Sequence, residues 1–495
     1  MKNIIALFAL TLFLNGAANA APRAVGPVRL PAGYTIETIE IPAHITLGVG
    51  GLAFTPVGDL LISTREGEVW RYREGTWSRF AQGLHEALGL HVDPKTGDVW
   101  VMQRPELTRL IDEDGDGKAD IYQTVNGDWG LTDNYHEYAF GPVRDAEGNF
   151  YGTLNTSLSW PGWAKSDRWD IGRVHDSKMG RAAPYRGWCF QITPEGKFVP
   201  YASGLRSPAG IGMNKRGEIF YTDNQGDWNC TSSLHQVIKG RFYGHPSSLT
   251  DHPDFAGKNL NRITEAEYDQ LRHRPAIYLP QGELSSSPGE PVFDETGGKF
   301  GPFGDQVFIG DQTKSNVMRA ALERVCGEYQ GVVFDFADPL QCGVIRSRFA
   351  TDGSLWIGQT GRGWRSVGEK TFGLQRIRWD GKTMPTEMHS VSLTKTGFRI
   401  QFTKAVNRAA AADPANYAIK HWGYIYQAEY GSPKVGLTEL NPKSAKVSPD
   451  QMSVELELPL AKERVYQLTL GNISGDDGTP MTNATGYYTL NRLRE

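Results

Sequence analysis

Apolar and polar residues alternate in several stretches between residues 51 and 359, and each stretch is divided by a short turn containing Gly, Asp or Asn. Alternation with a period of two is typical of β-strands, and two such strands around a tight turn predict a β-hairpin. The copies are GLAFTPVGDLLIST around Gly58, GLHVDPKTGDVWVM around Gly97, YAFGPVRDAEGNFYGTL around Gly148, GIGMNKRGEIFYTD around Gly217, GGKFGPFGDQVFIGD around Gly304 and RSRFATDGSLWIGQ around Gly353.

Six copies of one hairpin at long, irregular spacing favour a repeat architecture. The sequence therefore predicts an all-β protein with a six-bladed β-propeller over residues 34–384. A series of β-sandwiches is the alternative, and the repetition of one hairpin favours the propeller.

Two insertions separate the hairpins. Residues 155–190 contain Trp160, Trp163, Trp169 and Trp188, and residues 246–285 contain the charged, helix-like segment ITEAEYDQLRHR. Loops inserted between repeats usually lie on one face and carry function, so we expect them at the mouth of a central site. There, aromatic side chains can stack on sugar rings or simply pack.

The pattern changes after residue 384. The stretches VSLTKTGFRIQFTKAV, SVELELPL, VYQLTLGNI and TGYYTLNRL alternate cleanly and predict an Ig-like β-sandwich over residues 385–495. Because this part holds no concentrated group of His, Asp or Cys, we interpret it as a docking or stabilising module.

The first 20 residues have the pattern of a signal peptide. A basic residue at position 2 precedes an apolar stretch, and Ala18-Asn19-Ala20 forms a small-residue cleavage site. The stretch is too short to span a bilayer, and no later segment is long enough, so we expect no transmembrane segment. This predicts a periplasmic or secreted protein.

Charge and cysteine content narrow the possibilities further. A net charge of −4 without a basic block argues against nucleic-acid binding. In an exported chain, four cysteines make two disulfides possible in three pairings, of which we favour Cys189–Cys230 with Cys326–Cys342. The sequence contains no C-x-x-C-H motif for covalent haem attachment.

One acidic loop has the spacing of a calcium site. Asp112, Asp114 and Asp116 occupy alternate positions, followed by Gly117 and Asp120, so their oxygens can converge on a hard cation. The position of the usual EF-hand glutamate is taken by Gln123. We predict a structural calcium ion, with a solvated acidic turn as the alternative.

Candidate catalytic and binding residues precede or follow the hairpins. His136 can act as a general base on a hydroxyl group. Arg346 and Arg348 alternate on one strand and can clamp an anion, with further cations at Arg206 and Lys314. Cations that meet in a funnel repel one another unless an anion binds there, so the pattern predicts an acidic ligand.

The segments GLRSPAGI and KGRFYGHP, with the Gly-containing loop between them, resemble those of the pyrroloquinoline-quinone (PQQ)-dependent glucose/sorbosone dehydrogenases, a family of six-bladed propellers. The resemblance covers about residues 34–384. It implies PQQ and calcium as cofactors, a sugar or polyol as substrate, and a separate electron acceptor such as a cytochrome c.

The resemblance also implies roles for individual residues. The family's general base falls on His136 and its substrate-side arginine on Arg206. The residues that hold the quinone fall on Lys314, Arg346 and Arg348, and the calcium-binding loop matches Gly226 and Asp227. Where the family has asparagine after the substrate-side arginine, this chain has Ser207.

The loop DGDGKAD, the motif TDNQGDW and the ending YYTLNR resemble a subgroup of membrane-bound dehydrogenases from environmental bacteria. The sequence therefore predicts a PQQ-dependent sugar or polyol dehydrogenase. A calcium-dependent propeller hydrolase or lactonase and a non-catalytic carbohydrate-binding propeller are the alternatives, because propellers host many functions.

Overall fold

The structure is a computed structural model that describes residues 26–159, 171–361 and 366–494. The predicted signal peptide, residues 1–20, and Trp160, Trp163 and Trp169 lie outside the described residues. No helix in these three ranges is long and apolar enough to cross a membrane. The all-β prediction is confirmed.

The first strand, β1 (Tyr34–Thr38), is followed by two four-stranded antiparallel sheets. The first sheet consists of β2 (Val49–Phe54), β3 (Leu60–Thr64), β4 (Val69–Arg73) and β5 (Thr76–Ala81). The second consists of β6 (Gly89–Val92), β7 (Val99–Met102), β8 (Leu107–Ile111) and β9 (Ile121–Asn126).

The third and fourth sheets each carry an insertion. The third has β10 (Ala139–Arg144), β11 (Phe150–Leu154), β14 (Trp188–Ile192) and β15 (Phe198–Ser203), with the inserted pair β12 (Ser157–Leu158) and β13 (Met179–Gly180). The fourth has β16 (Pro208–Met213), β17 (Ile219–Asp223), β18 (Ser232–Val237) and β19 (Ile277–Leu279). Its insertion contains α1 (Glu265–Leu271) and the 3₁₀ turns Pro246–Asp251, Pro253–Phe255 and Leu260–Arg262.

The fifth array is β20 (Pro288–Phe293), β21 (Val307–Asp311), β22 (Asn316–Val325) and β23 (Glu328–Ala337). The sixth is β24 (Val344–Phe349), β25 (Leu355–Thr360) and β26 (Phe372–Trp379), completed by β1. The N-terminal strand thus pairs with the last strand of the repeat, from Tyr34 opposite Trp379 to Thr38 opposite Gln375. This pairing joins the two ends of the repeated region.

All six predicted hairpins are confirmed as the first two strands of these arrays. Most of the predicted turn glycines have positive φ, as at Gly58 (φ 92°). In the fifth hairpin the left-handed residue is Asp305 (φ 64°) and not Gly304, so the predicted turn lies one residue later.

Within the described residues, the first strands β2, β6, β10, β16, β20 and β24 contact one another in cyclic order. Glycines permit this close approach: a Cβ on Gly89 would lie 1.3 Å from the carbonyl oxygen of Gly141, and a Cβ on Gly210 would lie 2.5 Å from Cα of Glu290. The arrays therefore form a closed ring around an axis.

The C-terminal part forms two facing sheets. The strands are β27 (Met388–Leu393), β28 (Gly397–Phe402), β29 (Tyr417–Gly423), β30 (Val435–Leu440), β31 (Ser444–Val447), β32 (Ser453–Glu457), β33 (Arg464–Leu470) and β34 (Thr485–Leu490). A helix, α2 (Arg408–Ala412), and a 3₁₀ turn, Pro414–Asn416, connect β28 to β29. The core between the sheets contains Phe398, Ile400, Tyr466 and Tyr488.

One of these sheets is continuous with the ring. Strand β34 pairs with β23, from Gly331 opposite Thr489 to Phe334 opposite Gly486, which gives an eight-stranded sheet in the order β20-β21-β22-β23-β34-β33-β29-β30. Val332 and Phe334 belong to the C-terminal core. The C-terminal part is therefore joined to the fifth array by backbone hydrogen bonds as well as by the chain.

The predicted disulfides are wrong. All four cysteines are free; Cys189, Cys230 and Cys342 are buried and Cys326 is exposed. Cys189 packs in the core beside the third and fourth arrays, whereas Cys230 packs in a separate cluster with strands of the fifth. These thiols serve as small apolar groups in different cores.

Candidate active site

A cavity of about 360 Å³ opens where the first strands of several arrays begin and their second strands end. Residues that precede β10 and β16 line it, as do residues that follow β17 and β21. Its described wall contains two arginines, Arg65 and Arg206, and one histidine, His136, but no Asp or Glu. The wall thus presents guanidiniums to the cavity, whereas their carboxylate partners, Glu86 and Asp227, are not among its described lining residues.

His136 lies in this wall and is held in one tautomer. Its Nδ1 lies 2.8 Å from the carbonyl oxygen of Thr156, so Nδ1–H donates and Nε2 is left as the acceptor. Burial lowers the pKa of His136 to about 4, although the hydrogen bond to Thr156 opposes this effect. At neutral pH the imidazole is uncharged and can accept a proton at Nε2.

Ser207 faces this acceptor nitrogen. Its Oγ lies 3.3 Å from Nε2 of His136 and also accepts a hydrogen bond of 3.3 Å from Nδ2 of Asn155. The serine that replaces the family's asparagine is thus in contact with the predicted base. Both His136 and Ser207 are less than a tenth exposed.

Arg206 is fixed from one side by a buried carboxylate. Its Nε donates to Oδ1 of Asp227 at 3.0 Å, and the two side chains are 7% and 1% exposed. Burial alone would raise the pKa of Asp227, but the charge of Arg206 and the hydrogen bond from His245 hold it well below its usual range. The two terminal nitrogens of Arg206 have no hydrogen-bond partner within the described ranges.

Gly226 makes room for this arginine. A Cβ on Gly226 would lie 1.9 Å from the guanidinium carbon of Arg206. Any larger residue would displace the guanidinium, so Gly226 forms the surface on which Arg206 lies. Its carbonyl oxygen accepts a hydrogen bond of 2.9 Å from the backbone N–H of Gly431.

Two aspartates at strand ends hold the loops that carry the wall. Asp223, at the end of β17, accepts the backbone N–H groups of Arg206 and Ser207 at 2.8 and 2.7 Å. Asp311, at the end of β21, accepts those of Ser286 and Ser287 at 2.7 and 2.8 Å. Burial raises the pKa of Asp223 to about 6 against these hydrogen bonds. In both arrays, an aspartate that ends the second strand thus fixes the loop that enters the first strand.

Several polar atoms of the wall are buried without a partner. Oδ1 of Asn155, Oδ1 of Asn224 and Nε2 of Gln312 make no hydrogen bond among the residues described. Unsatisfied buried polar atoms are uncommon in folded proteins and cost about 1–3 kcal/mol each. Three in one cavity wall leave two acceptors and one donor that a polar ligand or solvent could use.

Arg65 follows β3 and is the second cation of the wall. Its Nη2 lies 3.4 Å from Oε1 of Glu86 and 3.3 Å from the hydroxyl of Tyr138. Glu86 also binds Arg104 at 3.4 Å, so one carboxylate serves two guanidiniums. Arg65 thus retains capacity for an anion, and its Nε has no partner in the described part of the chain.

Arg346 lies on the axis, below the cavity. It is 2% exposed, and every first strand or the residue before it contributes to its surroundings. The contacts are Gly50 O at 2.6 Å, Leu88 O at 2.8 Å, Ala209 O at 2.5 Å, Ile345 O at 2.7 Å, Glu290 Oε2 at 3.6 Å and the Phe140 ring at 5.0 Å. Its guanidinium therefore fastens the inner strands of the ring to one another.

Arg348 lies on the same face of β24, as alternation requires. Its Nε donates to the carbonyl oxygen of Leu52 at 3.0 Å and its Nη2 to Oε1 of Glu290 at 2.8 Å. Burial lowers the pKa of Arg346 to about 10, so it remains charged at neutral pH. Because the single carboxylate of Glu290 faces both Arg346 and Arg348, these three side chains together carry one net positive charge at the axis.

The predicted quinone-binding residues do not belong to the described wall. Arg346 and Arg348 lie beneath it, and Lys314 donates from Nζ to the carbonyl oxygen of Gly282 at 2.8 Å beside the wall residues Gln281 and Thr313. Their contact with a cofactor stays a prediction. In contrast, His136 and Arg206 lie in the same wall.

The predicted metal-binding residues lie in two places. Ligand atoms of Asp112, Asp114 and Asp116 lie within 4.8 Å of one another in the loop between β8 and β9. Asp120 closes this loop by accepting the N–H of Glu113 at 2.8 Å. Asp227 instead binds Arg206, His245 and the N–H of Met179, so three donors occupy its oxygens.

Sequence reasoning missed Arg65 and Tyr430. Arg65 directly follows the first hairpin, a position equivalent to Asn224 and Gln312 after later hairpins, so the repeat could have indicated it. Tyr430 comes from the C-terminal part, outside the repeated hairpins, so the repeat could not have indicated it.

No family model and no curated protein matches the sequence. Several solved structures match the fold of the chain. The holo form of the PQQ domain of pyranose dehydrogenase from Coprinopsis cinerea is 12% identical, with a TM-score of 0.50 over 71% of this chain and 97% of that one. A glucose dehydrogenase from Thermus thermophilus is 18% identical, with a TM-score of 0.49 over 70% of this chain and 100% of its own.

The PQQ-bound aldose sugar dehydrogenase from Streptomyces coelicolor is 17% identical, with a TM-score of 0.46 over 70% and 99% of the two chains. At these identities the likeness concerns the fold. The resemblance predicted from the sequence is confirmed at that level, because the Coprinopsis domain shares the fold of about 71% of this chain.

Proposed function

We propose that the protein is a periplasmic or secreted PQQ-dependent dehydrogenase that oxidises a hydroxyl group of a sugar or polyol. The closed ring would be a six-bladed propeller over residues 34–384, and residues 385–495 an Ig-like β-sandwich. Three observations support the proposal: the sequence resemblance, the shared fold and the composition of the cavity.

The observation that carries the proposal is the pairing of a neutral imidazole with a guanidinium in a wall whose described residues include no carboxylate. A neutral His136 can take the proton of a substrate hydroxyl at Nε2, since Nδ1 already donates to Thr156. Arg206, fixed by Asp227, would stabilise the negative charge that develops on the substrate oxygen.

The residues of the cavity fit an acidic quinone. PQQ carries three carboxylates, and Arg65, the orphan amide of Gln312 and the hydroxyls of Ser286 and Ser287 offer donors. Arg346 and Arg348 would add their excess charge from below, and Lys314 from the rim. When bound, the quinone supplies the acceptor for the substrate's hydride, and a separate acceptor such as a cytochrome c would take the electrons.

We place a structural calcium ion in the acidic loop of Asp112, Asp114, Asp116 and Asp120. For the cofactor-linked calcium predicted at Gly226 and Asp227, the preceding Asn224 offers the free oxygen, because the carboxylate of Asp227 already has three donors. Hard cations prefer such amide and carboxylate oxygens.

A calcium-dependent propeller hydrolase or lactonase is the second candidate. The free oxygens of Asn155 and Asn224 in the wall favour it. The two arginines and the lack of a carboxylate in the described wall disfavour it, since a divalent cation gains most from charged ligands. A non-catalytic carbohydrate-binding propeller would use the same cavity without the quinone.

The test is reconstitution of the purified protein with PQQ and calcium, followed by dye-linked oxidation of a panel of sugars and polyols. We expect a spectral change on quinone binding and turnover of at least one substrate. His136→Gln should keep the spectral change and lose turnover by about 10²-fold or more.

His421→Gln is the matched control, because His421 lies on β29 in the C-terminal part. It should behave like the unaltered protein. Absence of any spectral change would overturn the dehydrogenase proposal, and calcium-dependent ester or lactone hydrolysis would replace it with the second candidate. Sugar binding without either reaction would leave the carbohydrate-binding function.

A further inference from the structure

A ten-residue segment between β29 and β30, residues 424–433, leaves the C-terminal sheets and lies on the ring; we call it the strap. Its backbone is fastened to the loop after β17 by three hydrogen bonds. These are Gly431 N to Gly226 O at 2.9 Å, Ser432 N to Cys230 O at 2.9 Å and Trp228 N to Gln427 O at 3.0 Å. An isolated β-bridge also pairs Asp227 with Tyr430.

The strap is packed as well as hydrogen-bonded. Tyr426 is 9% exposed and lies in a cluster with Trp228 and Tyr268 from the fourth-array loop and its insertion. Arg272 lies over the Tyr426 ring at 4.5 Å. The strap is therefore a fixed part of the cavity rim, and Gly431, with φ 69°, allows its turn.

Tyr430 is the exposed one of the three tyrosines of the strap, since Tyr426 is buried and Tyr424 is partly buried. Its side chain is 53% exposed and forms part of the cavity wall, next to the predicted substrate-side arginine. The guanidinium of Arg206 lies 5.4 Å from the centre of the Tyr430 ring. A fixed strap that holds a large aromatic side chain half open beside the polar groups of the cavity places an amphipathic surface where a substrate would enter.

A tyrosine in this position suits a carbohydrate. The C–H faces of a pyranose pack on an aromatic ring, while the hydroxyl groups bind polar neighbours. Asn155, Asn224 and Arg206 supply such polar atoms in the same wall. A flat apolar face beside several hydrogen-bonding groups is the combination that a sugar ring requires.

We propose that Tyr430 is a substrate-specificity residue, supplied to the propeller's cavity by the C-terminal part of the chain, and that its ring stacks on the sugar. This inference rests on the proposed function for the choice of ligand. It assigns the C-terminal part a role in completing the site, in addition to its pairing with β23.

The test compares Tyr430→Ala and Tyr430→Phe with Ile425→Ala across the sugar panel. Ile425 is the matched control, since it lies on the same strap, is 44% exposed and does not line the cavity. Tyr430→Ala should raise KM for the best sugar roughly fivefold to tenfold, with kcat within about twofold. Tyr430→Phe should stay within about twofold, because it keeps the ring.

Quinone affinity, measured by the spectral change, should be equal in all three variants. A Tyr430→Ala variant with unchanged KM would overturn the proposal, whether or not its quinone binding is weakened. Calorimetric titration of the same sugars into each variant separates this question from the dehydrogenase reaction. Loss of sugar binding in Tyr430→Ala supports the inference even if the unaltered protein oxidises nothing, and no sugar binding to the unaltered protein would overturn it.

Discussion

Arg206 and Arg346 are both buried arginines close to the axis of the ring, but their guanidiniums have different partners. Arg346 donates to four backbone carbonyls from strands around the ring, and its charge is incompletely balanced by a glutamate shared with Arg348. Arg206 donates from Nε to Asp227, and its terminal nitrogens bind nothing in the described residues.

This difference separates a structural arginine from one available to a ligand. Carbonyl partners fix a guanidinium and use its donors, so Arg346 has little left for a ligand. A carboxylate on one edge orients a guanidinium and leaves the other donors for binding, which is the situation of Arg206. Burial and charge do not distinguish Arg206 from Arg346; their hydrogen-bond partners do.

The largest effect should come from Arg346→Met. The substitution keeps much of the volume but leaves carbonyl oxygens from several strands without donors, so we expect the free energy of unfolding to fall by about 3–5 kcal/mol. Denaturant-induced unfolding followed by tryptophan fluorescence measures it. Arg399→Met, which breaks an exposed pair with Glu455, should cost less than about 1 kcal/mol. Equal effects would contradict the structural role of Arg346.

A second test concerns the neutral histidine of the wall. The folded pKa of His136 is about 4 and the unfolded value about 6.5, so between these pH values only the unfolded chain binds the proton. Stability due to this site is therefore lost as pH falls. Relative to His136→Gln, the protein should lose roughly 2–3 kcal/mol between pH 7 and 4.5.

Unfolding curves of both proteins at the two pH values give this difference, in which the remaining histidines cancel. A constant difference between the proteins would mean that His136 binds a proton as readily in the folded state as in the unfolded chain. The imidazole would then become charged as pH falls below about 6.5, and it would not be the neutral partner of Arg206 in acidic solution.

Cofactor affinity provides the third test. Arg65→Gln should weaken PQQ binding about tenfold to hundredfold, because a hydrogen bond between charged groups contributes about 1.5–3 kcal/mol. Its effect on stability should stay below about 1 kcal/mol, since its bonds to Glu86 and Tyr138 are long. Arg348→Gln should affect affinity less. The reverse order would show that the axial pair touches the cofactor directly.

The smallest effect should be that of the acidic loop. A bound calcium ion at ten times its dissociation constant stabilises the folded state by about 1.4 kcal/mol, so a chelator should lower the melting temperature slightly. Asp114→Asn, which keeps the hydrogen bond from the N–H of Asp116, should make melting insensitive to the chelator. It should leave PQQ affinity unchanged, and the same chelator response in both proteins would remove calcium from this loop.

Local patterns predicted the hairpins because alternation and turn chemistry act over fewer than 20 residues. The same reasoning predicted that His136 and Arg206 each lie just before a hairpin, and both residues line the cavity. It could not predict the partners of Arg346, since Gly50 lies 296 residues away and its carbonyl is available only once the ring has closed.

The strands of the C-terminal part were predicted, but its attachment to the ring was not, for a related reason. The pairing of β34 with β23 and the docking of the strap depend on contacts between distant segments. Alternation of apolar residues predicts which face of a strand is buried, but it does not predict which segment packs against that strand. The predicted disulfides failed because Cys189 and Cys230 pack in separate cores and Cys326 is exposed while Cys342 is buried, a separation that composition does not reveal.

The position of Arg346 also determines how molecules move through the ring. Next to the guanidinium, the space along the axis is only about 10 Å³, which is barely enough for one water molecule. Among the described residues, Arg346 therefore fills the axis beneath the cavity. In a dehydrogenase of the kind we propose, substrate and product would then both pass Tyr430, so release of one would have to precede entry of the next.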